Sequence, residues 1–202
     1  METNQKLQYN WNILKIAIIM FMLSPQVLMA QTYKLATNKD NNIKVLGKSN
    51  VHDWTMVAKG IESAGVFKFN SSNELVDLTS FKFSVVAKSL KSDKKSMDDR
   101  TYKAMKADQY PKITYQLTFA TVTMVQANKY SIQTSGNLTI AGKTQVISMK
   151  VMALVNADGS ISCHGKENLQ LTDYGIEPPS FMLGAMKVGN DLAIQFNLTY
   201  SK

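Results

Sequence analysis

The residues best able to bind a metal ion are few in this chain. His52 and His164 are the two histidines, and Cys163 is the one cysteine. A zinc site needs three or four converging ligands, which these three residues and Asp53 could in principle supply. Their spacing matches no zinc pattern, and neighbours in a strand, such as Cys163 and His164, point to opposite faces. We therefore expect no metal site and no cofactor.

The sequence also has no recognisable motif for nucleophilic catalysis. Ser49 lies close to His52, and the cysteine adjoins the second histidine, but there is no Gly-x-Ser-x-Gly elbow and no paired carboxylates. We expect a protein without enzymatic activity, with a cofactor-free hydrolase or isomerase as the weakest alternative. His52 and Asp53 are interpreted as hydrogen-bonding a corner that seats Trp54.

Arg100 is the sole arginine and, with His52, is a candidate for binding a ligand headgroup. The planar fork of a guanidinium suits phosphate or carboxylate. Arg100 could instead pair with Asp98, Asp99 or a loop carbonyl.

Apolar side chains form the candidate lining of a ligand cavity. Alternating apolar positions place successive side chains of a strand on one face, which would line a tube or fill a core equally well. The candidate lining residues are Trp54, Phe67, Phe69, Phe81, Phe83, Met97, Met105, Tyr115, Phe119 and Phe196.

One stretch, from Ser96 to Phe119, predicts a short helix followed by a strand. Ser96 is the expected N-cap, and Pro111 is the expected stop. Apolar residues at helical spacing form a narrow stripe that would plug or gate the interior: Met97, Thr101, Ala104 and Met105. The strand then alternates, with one face formed by Ile113, Tyr115, Leu117 and Phe119.

The rest of the chain favours an all-β fold. Eight or more apolar runs are joined by short turns, which is typical of an antiparallel sandwich or barrel. A βαβ rhythm is missing from the sequence, so a parallel sheet is not expected.

The first thirty residues, 1–30, are expected to be a signal peptide. Lys6 and Lys15 supply a basic segment, the apolar run from Ile16 to Leu23 is short for a membrane span, and Ala30 suits the cleavage site. The alternative is a membrane anchor. Residues 31–202 would form one domain, located in the periplasm or secreted.

The chain is basic, with a formal net charge of +8. This could favour anionic partners such as lipid headgroups, although scattered lysines also suit solubility alone. The sequence contains no arginine cluster and no RNA-binding motif, so we expect no nucleic-acid partner. A lone cysteine cannot form an internal disulfide, and Cys163 is expected to be a buried free thiol.

Four stretches together resemble the YceI-like lipid/polyisoprenoid-binding family. They are, in order, residues 49–55 (Ser-Asn-Val-His-Asp-Trp-Thr), 97–100 with 110–115, 136–144 (Gly-Asn-Leu-Thr-Ile-Ala-Gly-Lys-Thr), and 173–176 followed by Pro178-Pro179-Ser180. The resemblance implies an eight-stranded antiparallel lipocalin-like barrel with one short helix inserted, and a tubular apolar cavity. The corner at 50–54 departs from the His-Ser pair of better-known members.

The resulting hypothesis is an exported, non-enzymatic binding protein that holds an isoprenoid or another long-chain lipid, with a possible transient contact to an envelope membrane. The alternative is a cell-envelope interaction or stress-associated module with a filled barrel, whose partner surface would lie on the loop 173–189. Its apolar residues are Phe181, Met182, Leu183 and Met186. The oligomeric state stays open.

Overall fold

A computed structural model describes residues 29–37, 40–181 and 183–202. The expected signal peptide therefore lies outside the described residues, apart from Met29 and Ala30, which begin the first strand. Met182 also lies outside them.

The described chain is mostly strand. The strands are β1 (Met29–Leu35), β2 (Asn42–Ser49), β3 (Asp53–Ala58), β4 (Ile61–Phe69), β5 (Leu75–Val86), β6 (Leu90–Lys91), β7 (Lys112–Gln126), β8 (Lys129–Ile140), β9 (Lys143–Val155), β10 (Ile161–Gln170), β11 (Ser180–Phe181) and β12 (Met186–Ser201). The helix α1 is Lys95–Ala104, and two short 3-10 helices are Ala87–Ser89 and Leu171–Tyr174.

The strands close into an eight-stranded antiparallel barrel, as the family resemblance implies. The ring runs β1-β4-β5-β7-β8-β9-β10-β12 and closes through β1–β12 pairs at Lys34–Ser201 and Leu35–Tyr200. β2 pairs with the first part of β12, and β3 continues outward from β2. Closure leaves the ring without a free edge over this region.

One end of the barrel is packed with large side chains. Tyr33, Phe67, Tyr130 and Tyr200 are each no more than 2% exposed. The Tyr33 and Phe67 rings meet edge-on with centroids 5.3 Å apart, and the Tyr130 hydroxyl accepts a 3.2 Å hydrogen bond from Leu75 N. Aromatic rings in such edge contacts stabilise the core beyond their buried area.

The helix lies at the other end and differs in detail from the prediction. It begins at Lys95 after an extended Lys94 that makes no side-chain cap bond, so the predicted Ser96 N-cap is wrong. Asp98 anchors the first turn instead, because it is buried and accepts hydrogen bonds from Ser92 N (2.7 Å) and Ser92 Oγ (2.8 Å).

The helix also ends before the predicted proline stop. Its last residue is Ala104, and Lys106 then takes a left-handed φ of 51°, so Pro111 plays no part in ending it. Within the described residues, no helix has the length and apolar character needed to cross a membrane.

Phe119 does not share the inward face of β7. The pairing of β7 with β8 shifts register between Leu117 and Phe119, which inserts one extra residue into the alternation. Phe119 is therefore 66% exposed on the outer wall, while Tyr115 and Leu117 are buried. The prediction that Phe119 continues the inward face is wrong for this reason.

Candidate functional site

An apolar cavity of about 380 Å³ lies under α1, and we call it the upper cavity. The stripe on the helix predicted from sequence, Met97, Thr101, Ala104 and Met105, faces into it. Thr101 Oγ1 lies 3.5 Å from Met56 Sδ of β3, and the Tyr102 hydroxyl donates a 2.6 Å hydrogen bond to Leu90 O. These contacts fix the helix as a cover over the end of the barrel.

The upper cavity reaches the surface at a polar rim, which we call the mouth. Its exposed lining residues are His52, Lys94, Ser96, Arg100 and Gln170. Apolar interior and polar mouth together suit an amphiphile with its hydrocarbon part inside.

A second apolar cavity of about 130 Å³, the lower cavity, lies nearer the packed end. Five residues line both cavities: Ile43, Phe83, Leu138, Leu169 and Ile194. Cys163 lines the lower cavity as a buried free thiol, as the sequence predicts, and burial raises its pKa to about 12. His164 is exposed on the opposite face of β10, so the two do not converge.

The structure sorts the candidate lining residues into three groups. Those on the upper cavity are Trp54, Phe83, Met97 and Met105, together with the headgroup candidates His52 and Arg100. Those on the lower cavity are Phe67, Phe81, Phe83, Tyr115 and Phe196. Phe69 packs in the core near Tyr33, with ring centroids 6.2 Å apart, and lines neither of these cavities. Phe119 is outside the barrel.

Trp54 lies on Gly47 of the neighbouring strand. An added Cβ at Gly47 would lie 2.5 Å from Trp54 Cε2 and 2.6 Å from Cη2, so only glycine leaves room for the indole ring. Trp54 Nε1 is buried and has no hydrogen-bond partner among the described residues. An indole N–H can only donate, so this atom is a donor without an acceptor.

Tyr174, which also lines the upper cavity, carries a second unpartnered polar atom. Its side chain is 3% exposed, and its hydroxyl has no hydrogen-bond partner within the described ranges. Burial, with smaller contributions from Asp173 and Glu167, raises the pKa of Tyr174 to about 12. The group therefore stays protonated and can donate. Sequence reasoning quoted residues 173–176 as a motif but did not single out Tyr174.

Arg100 links the helix to β11 across the mouth. Its guanidinium carbon lies 4.2 Å from the centroid of the Phe181 ring, which is a cation–π contact. The nearby carboxylates have other partners: Asp99 pairs with Lys95 at 2.7 Å, and Asp98 with Lys91 at 3.6 Å. Of the alternatives left open for Arg100, neither acidic partner is used.

The corner between β2 and β3 differs from the interpretation that His52 and Asp53 hydrogen-bond it. Its side-chain hydrogen bonds come from Ser49 and Asn50, and His52 takes part through its backbone N–H and C=O. Ser49 Oγ donates to His52 O (2.8 Å) and accepts from His52 N (3.1 Å), so this hydroxyl belongs to a turn. Asn50 ties the corner to the hairpin of β11 and β12, donating to Ala185 O and accepting from Lys187 N, both at 2.8 Å. Among the residues described, no group of three potential metal ligands comes together.

Comparisons with known proteins fit this architecture. The chain resembles BcnA of Burkholderia cenocepacia with a TM-score of 0.63 and 16% identity, over 80% of this chain and 96% of that one. A polyisoprenoid binding domain from Saccharophagus degradans implicated in plant cell wall breakdown matches with a TM-score of 0.62 and 11% identity, over 84% of this chain and 97% of that one. The Campylobacter jejuni YceI protein matches with a TM-score of 0.54 and 16% identity, over 77% of this chain and 85% of that one. At these identities the likeness shows a shared fold.

A comparison with curated protein sequences finds no significant match. A family model described as the YceI-like domain, however, matches residues 28–200, which is nearly all of the described chain. The chain belongs to the YceI-like family.

Proposed function

We propose that this protein is an exported, non-enzymatic binding protein that holds an isoprenoid or another long-chain lipid in its barrel, in the periplasm or outside the cell. The observation that carries the proposal is the upper cavity, whose volume of about 380 Å³ falls in the range of small-molecule sites. Its mostly apolar wall ends at a polar mouth. Family membership and a structural neighbour named as a polyisoprenoid binding domain support the choice of ligand class.

The unpartnered polar atoms support a ligand that carries an acceptor oxygen near the mouth. Trp54 and Tyr174 both line the upper cavity, and Trp54 Nε1 and the Tyr174 hydroxyl are buried donors without a partner among the described residues. A buried donor without a partner costs about 1–3 kcal/mol, which a ligand oxygen would recover. A hydroxyl, carbonyl or ester head therefore fits the site better than a bare hydrocarbon.

The energetics suit reversible transport. Each methylene leaving water gains about 0.8 kcal/mol, so an isoprene unit gains about 4 kcal/mol before entropy costs. A lipid leaving a bilayer gains far less, because both environments are apolar. We therefore expect loading and unloading at membranes rather than permanent retention.

The test is native mass spectrometry of the protein purified after export, followed by organic extraction and identification of what it carries. Binding can be followed by fluorescence, since Trp54 is the one tryptophan in residues 31–202 and lines the cavity. Tyr174→Phe should weaken binding of a prenyl alcohol about tenfold, which corresponds to the loss of one hydrogen bond. Phe119→Ala, on the outer wall, is the matched control. A protein that carries no lipid and takes up none refutes the proposal.

Transient contact with a membrane is supported by two apolar tips at the mouth. Val51 is 60% exposed at the tip of the corner, and the Leu183 side chain is fully exposed at the tip of the neighbouring hairpin. Asn50 holds the two loops together. A V51D/L183D double variant should lose binding to lipid vesicles while binding a soluble prenyl alcohol normally.

The same surface is where a filled-barrel interaction module would bind a protein partner. The exposed Leu183, in the loop expected to form the partner surface, favours this second candidate. The V51D/L183D variant distinguishes the lipid carrier from the interaction module. The module is supported if the variant loses a protein partner, binds vesicles as the unaltered protein does, and neither the variant nor the unaltered protein takes up lipid.

A further inference from the structure

The upper and lower cavities follow one another inside the barrel and meet at five side chains. These residues, which we call the neck, are Ile43, Phe83, Leu138, Leu169 and Ile194. They come from β2, β5, β8, β10 and β12, so the neck is built from strands on several sides of the barrel. A hydrocarbon chain that passes from the upper cavity into the lower one moves past these side chains.

We infer that the neck and the packed end set the length of chain that the protein accepts, so that its ligand has about three to four isoprene units or an equivalent length. This inference rests on the proposed function, because it concerns the ligand of that same cavity. It adds an upper limit on the length of the ligand chain, which follows neither from the fold nor from membership of the family.

The cavity volumes give the length. A dry cavity of about 150 Å³ holds one benzene molecule, which is about 25 Å³ for each carbon. At that ratio the upper cavity of about 380 Å³ holds about fifteen carbons. The lower cavity of about 130 Å³ adds about five more if the chain passes the neck.

The packed end stops the chain from continuing. Phe67 and Tyr200, each 1% exposed, form part of the wall of the lower cavity. Tyr33 packs edge-on against Phe67, and the Tyr200 hydroxyl lies 3.0 Å from Ser63 Oγ, so both rings are held in place. Further isoprene units of a longer ligand would remain outside the mouth, in water, and would add nothing to binding.

A chain-length series tests the inference. The purified protein is titrated with geraniol, farnesol, geranylgeraniol and a decaprenyl alcohol from the same detergent micelles, and the Kd is measured by native mass spectrometry. A methylene buried from water is worth about a fourfold change in affinity. Transfer from a micelle recovers only part of this, so we expect affinity to tighten at least tenfold from geraniol to geranylgeraniol, with no further gain for the decaprenyl alcohol.

Two variants of the neck should move this limit in opposite directions. Phe83→Ala widens the neck. The ratio of the Kd for farnesol to the Kd for geranylgeraniol should be at least fivefold larger in this variant than in the unaltered protein. Leu169→Phe narrows the neck and should remove the gain in affinity from farnesol to geranylgeraniol. Phe119→Ala removes a ring on the outer wall that lines neither cavity, so the length preference should stay unchanged.

The outcomes separate the inference from the function on which it rests. Tighter binding of the decaprenyl alcohol than of geranylgeraniol overturns the length limit and leaves lipid binding intact. A length preference that neither neck variant alters overturns the role of the neck, and if Phe83→Ala does not fold, Leu169→Phe decides alone. Failure of every alcohol to bind refutes the proposed function instead.

Discussion

Replacing Gly47 tests whether the wall of the upper cavity depends on the contact between β2 and the indole ring of Trp54. In Gly47→Ala the new Cβ would lie 2.5 Å from Trp54 Cε2 and 2.6 Å from Cη2, and closer still to Cζ2. Carbon atoms in contact normally lie about 3.5–4.0 Å apart, so the rigid ring must move by about 1 Å. That movement displaces the indole, including its buried Nε1, within the wall of the upper cavity.

The size of the effect follows from two opposing contributions. Overpacking of this kind costs about 1–3 kcal/mol, while alanine in place of a strand glycine stabilises by about 0.4–1 kcal/mol through the unfolded chain. The net expectation is a loss of about 1–2 kcal/mol in the free energy of unfolding. For a chain of this size, each kcal/mol lowers Tm by about 2–4 °C.

A double-mutant cycle with Trp54→Phe isolates the contact. Phenylalanine lacks the Cζ2 and Cη2 atoms with which the new methyl group collides. Gly47→Ala should therefore be neutral or slightly stabilising in the Trp54→Phe background, with a coupling energy of about 2 kcal/mol. The assay is urea unfolding of all four proteins, with Trp54 emission and prenyl alcohol binding recorded for the two that keep the indole. Additive stabilities together with unchanged emission would show that the ring does not rest on Gly47.

Three further predictions concern the buried acid, the thiol and the arginine. Burial acts to raise the pKa of Asp98, but hydrogen bonds from Ser92 and the charge of Lys91 outweigh it and lower the pKa. The stability that the ionised carboxylate contributes is present above the ordinary pKa of 3.8 and is lost as the pH falls through the lower pKa of the folded state. Asp98→Asn should therefore make Tm depend less on pH in the acid range. It should also lower the free energy of unfolding at neutral pH by about 2 kcal/mol. Cys163, with its pKa raised to about 12, should resist iodoacetamide at pH 9 and react only as the chain unfolds, which labelling followed by mass spectrometry checks. Arg100→Ala should lower the free energy of unfolding by about 0.5–1 kcal/mol. It should also speed the release of lipid several-fold in stopped-flow transfer to vesicles, and Arg100→Lys should show a smaller change in both quantities.

The strands could be predicted from the sequence because their signals are local, whereas closure through β1 and β12 joins distant parts of the chain and was implied only by the resemblance to the YceI-like family. Alternating apolar residues and short turns predict strands in the right places, and the helical stripe that includes Met97 and Met105 faces the interior as expected. The register shift beside Phe119 could not be predicted, since a bulge depends on how β7 and β8 pair and not on residue type. The predicted Ser96 N-cap was wrong because the buried Asp98 stabilises the first turn through hydrogen bonds from Ser92, and these also depend on tertiary structure.

The site was harder to predict than the fold. An inward apolar residue can fill a core or line a cavity, and Phe69 and Phe83 have the same pattern in sequence but different surroundings in the barrel. Tyr174 was missed because its importance lies in a hydroxyl without a partner, which only the assembled structure can show. Gly47 carries a detectable signal, since a glycine inside a strand indicates a close approach, but the sequence does not say that the approaching group is Trp54.

The upper cavity and its two unpartnered donors argue together against a barrel that merely fills itself. A space of about 380 Å³ on the wall of the barrel forgoes the van der Waals contacts that larger side chains there would make. Larger side chains on the strands could close such a space, yet β2 keeps Gly47, whose lack of a side chain holds the indole of Trp54 on the cavity wall. Buried Trp54 Nε1 and the Tyr174 hydroxyl add a cost that filling with hydrocarbon alone would not remove. The proposed amphiphile would meet both needs, because its chain would supply packing and its oxygen an acceptor.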